Sequence, residues 1–282
     1  MIRILPSIAI LAALAAPAHA APMVHADYDM YAHGLHVATL GVDYDFSPRG
    51  YVVQIAYATT GLAGALFSGH QVSTARGVWA GEAAMPQAFS GEGYWRGAAR
   101  TTRITYRAGR LASVTITPPD EEERAPVPDA LRANTVDGLT ALALVLRRVA
   151  ASGTCDVRTV TYDGRRLVDL SSRTAGPDTV PASSRSQYAG PALRCDAVGQ
   201  QTGGFLRDGD AEEQRRPKRG TAWIAKPLAD APPVAVRMVF ETRWFGDATL
   251  YLTGVRTVAA SPGASAGSSP LAADGSRSPA GR

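Results

Sequence analysis

Thiols, imidazoles and charge of one sign are all scarce in this chain of 282 residues, which has two cysteines, five histidines and a formal charge of only +4. Cys155 and Cys195, with no histidine near either, supply at most half of a zinc site, so a zinc centre built on them fails on ligand count. The weak basic balance, with aromatics at 7%, gives no concentrated basic face with interleaved rings and argues against nucleic acid as a partner. After the N-terminus no apolar run is long enough for a membrane-spanning helix. No helical or β-solenoid repeat period is visible.

Hydrophobic residues make up 45% of the chain and charged residues 19%, which supplies an ample core and excludes disorder of the whole. Residues 1–20, MIRILPSIAILAALAAPAHA, carry a basic Arg3, an apolar stretch from Ile8 to Leu14, and Ala18-His19-Ala20 as a small-residue cleavage site. That is the pattern of a signal peptide cut near Ala20, and it predicts a periplasmic or secreted protein. A single β-rich envelope domain is expected over 21–258, and the Ala, Ser, Gly and Pro of 259–282 form a tail too poor in large apolar residues to order itself. In an oxidising compartment the two cysteines favour a structural disulfide, with free buried thiols as the alternative. In the chain-entropy picture a crosslink over that span stabilises by roughly 4 kcal/mol.

Most of the chain reads as antiparallel strands. Val24 to Tyr31 and Leu35 to Phe46 alternate around a tight turn at His33-Gly34, and Tyr51 to Thr60 follows a second turn. Gly61 to Phe67 reads as a turn of helix or a buried corner. Further strands are expected at 70–79, 87–95, 101–107 and 110–116, the last two joined by Ala108-Gly109. The segment PPDEEERAPVPDA is a surface connection, since its prolines cannot pair in a central strand. Asn134 to Gly153 is the one long helix, apolar nearly all round and therefore buried, with Asn134 and Asp137 resembling a capping box and Gly153 as its stop. Beyond it lie strands at 155–162 and 165–170 around Asp163-Gly164, which suggests a type I′ turn, then strands at 185–188, 194–198, 221–226, 234–244 and 248–258. The predicted fold is mainly β: an antiparallel, strongly curved sheet or partly open barrel with one principal buried helix.

The search for chemistry returns little. Gly263-Ala264-Ser265-Ala266-Gly267 matches the nucleophile-elbow pattern, but it lies in the low-complexity tail, without the strand-to-helix turn that makes the serine reactive. His33-x-x-His36 straddles a turn and lacks a third and fourth metal ligand. Asp27 with Asp29, and Asp43 with Asp45, put paired carboxylates on one strand face, where a solvated outer surface explains them as well as glycoside chemistry does. Gly91-x-Gly93 followed by Gly97 departs from the dinucleotide fingerprint in spacing and context. The basic run Arg215-Arg216-Pro217-Lys218-Arg219 follows Asp210, Glu212 and Glu213, so a solvated loop stands against an anionic headgroup contact.

Several landmarks resemble a known family. Thr60-Gly61-Leu62, Asp137-Gly138-Leu139, Cys155, Tyr162-Asp163-Gly164-Arg165-Arg166, Tyr188, Gly190-Pro191-Ala192-Leu193-Arg194-Cys195 and Gly203-Gly204-Phe205 are similar to the bacterial envelope family called domain of unknown function 3108, over residues 25–258. The resemblance implies an exported antiparallel β protein and brings no catalytic residues with it.

The expectation is therefore a non-catalytic envelope protein with no metal or cofactor, binding a hydrophobic or amphipathic ligand such as a lipid between sheet and helix. Leu62, Leu66, Phe67, Trp79, Trp95, Leu142 and Leu146 are the candidate lining, with plain core as the competing reading for the same residues. A scaffold module docking another envelope protein is the alternative, and an uncharacterised hydrolase a second one.

Overall fold

The structure, a computed structural model, describes residues 23–66, 68–95, 97–242 and 246–258, although not the side chains of 62, 63 and 66. The expected signal peptide, the 259–282 tail with its Gly-x-Ser-x-Gly match, and Phe67 lie outside the described residues.

Seven strands precede the long helix: β1 (Met23–Ala32), β2 (Leu35–Phe46), β3 (Gly50–Thr59), β4 (Gly69–Ala80), β5 (Ala83–Trp95), β6 (Ala98–Arg107) and β7 (Arg110–Thr117), with a short α1 (Gly61–Leu66) after β3. The helical segments α2 (Asp129–Arg132) and α3 (Gly138–Ser152) come next. After them follow β8 (Val157–Tyr162), β9 (Leu167–Val180), β10 (Gly190–Gly203), α4 (Ala211–Arg215), β11 (Lys218–Ala225), β12 (Val234–Glu241) and β13 (Asp247–Val258). They make one 13-stranded antiparallel sheet in the order β7-β6-β5-β4-β3-β2-β1-β13-β12-β11-β10-β9-β8. The first and last strands pair in the middle, and the two edges are the strands that flank the helix in sequence. The sheet curves without closing into a barrel, which agrees with the expected fold class.

Alternation sets which face turns inward. On β1 Val24, Ala26 and Tyr28 are buried, while His25, Asp27 and Asp29 point to the outer face. His33 and Gly34 both have positive φ, as do Ala108 and Gly109, the backbone that a two-residue hairpin requires. Asp163-Gly164 behaves differently from the type I′ expectation. Only Gly164 has positive φ, and the turn is held instead by the Asp163 carboxylate, which accepts from the backbone N–H groups of Arg165 and Arg166 at 2.9 and 2.6 Å.

The sheet wraps around α3. Ala143 and Leu146 are fully buried among Val24, Tyr28, Tyr44, Val53, Val234 and Leu252. The helix starts later than Asn134: its N-cap is Asp137, whose carboxylate accepts from Thr140 N at 2.8 Å and from Thr140 Oγ1 at 2.7 Å. The preceding residues do not join it: α2 ends in a turn at residues 133–134, and the sheet edges claim the backbone on either side of Asn134. Val136 donates to Val160 O and accepts from Tyr162 N on β8, and Ala133 O accepts from Leu111 N on β7. Gly153 ends the helix in the left-handed conformation, as expected, and returns its N–H to Val149 O. Tyr51 Oη meets Thr140 Oγ1 at 2.8 Å, so a hydrogen-bonded chain runs from β3 to the helix cap. Burial raises the Asp137 pKa against the bonds from Thr140, and it raises that of the Tyr51 phenol as well.

Cys155 and Cys195 form a disulfide with Cα atoms 6.2 Å apart, tying the exit of α3 to the middle of β10. The largest departures from the sequence reading flank it. β9 runs on past Leu170 to Val180, through a bulge beside Arg194 and Cys195 where Gly176 takes positive φ ahead of Pro177. Residues 185–188 form a loop, not a strand, with Gln187 N donating to Leu252 O.

A second core cluster of Ile104, Tyr106, Val127, Tyr162 and Leu167 joins β6 to β8 and β9 across the open seam. Over it the Pro-rich connection and the segment after β10 form a strap. Arg124 bridges Leu206, Ala125 N donates to Phe205 O, and Arg207 N donates to Glu123 O. Gly204 packs the strap onto the β8–β9 turn so closely that a Cβ there would lie 1.8 Å from Arg165 O.

Two outcomes test these contacts. Replacing both cysteines by serine lowers unfolding stability by roughly 4 kcal/mol in urea titration; an unchanged midpoint would mean that the crosslink constrains nothing. Gly204→Ala destabilises clearly more than Gly153→Ala. Both positions have positive φ, costing about 1 kcal/mol for a side chain, but only the first also forces backbone apart. Equal losses would show that the strap yields freely.

Candidate functional site

The concave face changes character along β3 to β6. Val53, Ala75, Phe89 and Ile104 pair across the four strands as an apolar row. Two residues further on, Ile55, Ser73, Gly91 and Thr102 form a mixed row. Two further still, Tyr57, Gln71, Gly93 and Arg100 form a polar one, still in phase with the buried face. The glycines make the last two rows possible. A Cβ at Gly93 would lie 2.3 Å from His70 O, and Gly91 leaves room for the Gln71 amide, which donates to Ser73 Oγ at 2.7 Å.

This face opens into a cavity of about 700 Å³, with Tyr57, Gln71, Trp95 and Arg100 on the sheet side. Opposite them stand Glu123, Arg124 and Leu206 of the strap, and Arg165 and Arg166 of the β8–β9 turn. The helix lies elsewhere: Tyr51, its partner on β3, is six residues, or about 20 Å, from Tyr57. A smaller recess of about 470 Å³ continues beneath the strap along the seam beside β7, sharing Arg124 and Arg165 with the mouth.

The charges at the mouth are unevenly paired. Arg165 meets Asp120 at 3.1 Å with both side chains largely buried, at 15% and 13% exposure. Arg166 holds Asp163 at 2.8 Å; burial would raise the carboxyl pKa, but the Arg166 charge and the backbone N–H bonds of Arg166 and Arg165 outweigh it and hold it below the usual range. Arg100 is different. Its Nη2 stands 3.7 Å from Glu123, and its Nε is buried with no hydrogen-bond partner among the described residues. Burial also lifts the Tyr57 phenol pKa, so the ring enters the mouth neutral.

The residues expected to line a sheet–helix cleft separate. Leu146 is buried core, and Leu142 packs against the same cluster. Trp79 sits beside the β4–β5 turn, 4.6 Å from the Tyr51 ring, with its Nε1 donating to Ser47 O and the Arg147 guanidinium over its face. Trp95 is at the other end of the same hairpin and lines the mouth. The Leu62 and Leu66 side chains and Phe67 lie outside the described residues. Arg100 is not among the residues that the sequence singles out. The available signal was its phase, four and six residues before the buried Ile104 and Tyr106.

The other groups singled out in the sequence lie apart from the mouth. His25 Nδ1 lies 2.6 Å from Asp43, its Nε2 lies 2.9 Å from Asp27, and Arg256 donates to Asp27 at 2.8 Å. His36 stacks on Tyr31, 3.2 Å from the Asp29 carboxylate, while His33 borders Gly246. No three His, Cys, Asp or Glu residues among those described form a group that would hold a metal ion. The basic run folds onto its own acids, with Glu213 taking both Arg216 and Lys218 and Arg215 covering Phe205. Desolvation works to lower the His25 pKa, but the bonds to Asp43 and Asp27 prevail and raise it above 6.5. This cluster therefore contributes its full stability below pH 6.5 and loses it as pH rises through the higher folded value. In thermal melts the stability gap between the wild type and His25→Gln narrows over that rise; a gap constant with pH would mean that the ring never carries the charge.

Comparison with known proteins names no task. No curated protein matches the chain. Among solved structures, a β-barrel-like protein of domain of unknown function DUF1849 from Brucella abortus is 10% identical, with 84% of this chain and 98% of that one covered and a TM-score of 0.49. A domain described as an outer membrane lipoprotein-sorting protein, from Vibrio parahaemolyticus, is 11% identical, with 84% and 85% covered and a TM-score of 0.29. The family model for the protein of unknown function DUF3108 matches residues 27–253, nearly the whole folded sheet, and the chain belongs to that family.

Proposed function

We propose that this is a non-catalytic envelope protein that binds an amphipathic ligand in the mouth between β3–β6 and the strap. The observation that carries the reading is a concave cavity of about 700 Å³ in which Tyr57, Trp95 and Leu206 offer apolar surface beside arginine side chains. Most of the remaining lining is polar or charged, with Glu123, Asp163 and Asp208 among the arginines, so the site suits a ligand that has an ionic part as well as an apolar one. Export is supported by the disulfide, which an oxidising compartment maintains. No helix among the described residues is long and apolar enough to cross a membrane. The space between sheet and α3 is filled by core side chains, so the ligand belongs at the mouth. Docking through the Arg215–Arg219 loop has less support, because Glu213 already engages two of its cations.

The test is native mass spectrometry of protein prepared from the envelope fraction without detergent, beside organic-phase lipid analysis. A stoichiometric amphiphile is expected on the wild type, with occupancy lost in a Tyr57→Ala/Trp95→Ala variant that keeps the unfolding midpoint. A wild type that stays ligand-free even after incubation with added lipid would send the search to protein partners.

A further inference from the structure

We propose that Arg100 anchors an oxyanion site in the mouth, where it takes the phosphate or carboxylate group of the bound amphiphile in exchange for Glu123. The inference rests on the mouth being the binding site and adds the charge and chemistry of the group held there.

Arg100 is a cation in a row that otherwise runs into core, in phase with Ile104 and Tyr106. A guanidinium presents its Nε–H and one Nη–H side by side, a fork that matches two oxygens of one phosphate or carboxylate. Here that fork is unfilled. The Nε–H is buried and donates to nothing described, and the nearest charge partner, Glu123, is 3.7 Å from Nη2, the longest ion pair among the described residues and beyond hydrogen-bond reach. A buried donor without an acceptor is costly, and the position calls for one. Space exists beside it, because Arg100 lines the cavity of the mouth. Gln71, next in the row, lines the same cavity. The neighbouring cations have closer charge partners, Asp120 at 3.1 Å for Arg165 and Asp163 at 2.8 Å for Arg166, although the Arg165–Asp120 contact is, like that of Arg100, an ion pair without a hydrogen bond. Glu123 belongs to the strap and is more than half exposed, so it can swing into solvent when another anion arrives.

The experiment is a calorimetric titration of the full folded chain and of its Arg100→Gln, Arg100→Lys and Glu123→Gln variants. The probes are dodecyl phosphate, dodecyl maltoside and inorganic phosphate, and unfolding midpoints are measured in parallel. Dodecyl phosphate is expected to bind the wild type about 10- to 100-fold more tightly than Arg100→Gln, the range for a charge-assisted bond. Arg100→Lys, which keeps the charge and loses the fork, falls between them. Glu123→Gln, with the competing anion gone, binds at least as tightly as the wild type, and dodecyl maltoside does not distinguish the variants. Arg100-dependent binding of inorganic phosphate as strong as that of dodecyl phosphate supports the oxyanion site, identifies a free anion as its source and removes the amphiphile. If both dodecyl compounds bind alike and are indifferent to Arg100, the mouth takes amphiphiles and the oxyanion site is wrong. If no probe binds, both readings fall.

Discussion

An antiparallel sheet that curves without closing leaves two edges, each a row of unpaired N–H and C=O groups, and the way these edges are covered determines the rest of the molecule. The edges are β7 and β8, and the chain between them is the segment that covers them. Ala133 takes a hydrogen bond from β7, and three residues later Val136 exchanges two with β8. Exposed edges of this kind invite pairing with other chains, so a covering segment at the seam also protects against aggregation. That placement leaves α3 nowhere to run except into the concavity, which it fills.

Filling by a single helix has a consequence for where a ligand can go. A 15-residue helix is about 22 Å long, shorter than the strands β3 to β6, whose 10 to 13 residues run about 33 to 43 Å. One end of the concavity therefore holds Ala143, Leu146 and the Tyr51–Thr140–Asp137 hydrogen-bonded chain, and the other end is left to side chains from the sheet alone. There the inner row turns from Val53 and Ile104 to Tyr57 and Arg100, and the strap crosses over it. Cavity and core thus come from the same constraint, the mismatch in length between helix and sheet.

Where a structure depends on neighbours in sequence, it was legible in advance. His33-Gly34 and Ala108-Gly109 are two-residue turns in which Gly34 and Gly109 reach positive φ cheaply while His33 and Ala108 carry the cost, and Gly153 stops the helix because it too lacks a Cβ. The disulfide followed from parity and compartment. What could not be read depends on distant partners. Asn134 looks like a helix start until β7 takes the carbonyl before it and β8 the backbone of Val136 after it, and residues 171–180 look like loop until β10 pairs with them through the bulge at Gly176. The expected lining set Trp95 beside Trp79, because composition does not say that the two rings stand at opposite ends of one hairpin. The row from Tyr57 to Arg100 requires the register of four strands, which no local pattern contains.

The two ion pairs that tie the strap to the mouth differ in what they resist. Arg165 and Asp120 are largely buried, and removing one partner of such a pair leaves an uncompensated charge, at a cost of about 3 to 5 kcal/mol. Arg100 and Glu123 are partly exposed and not in hydrogen-bond contact, a geometry worth about 0 to 1 kcal/mol. An anion entering the mouth therefore displaces Glu123 at little cost and leaves the Asp120 anchor intact. The strap stays in place while its outer charge is exchanged, and the arginine whose Nε lacks an acceptor gains one without any strand of the sheet having to move.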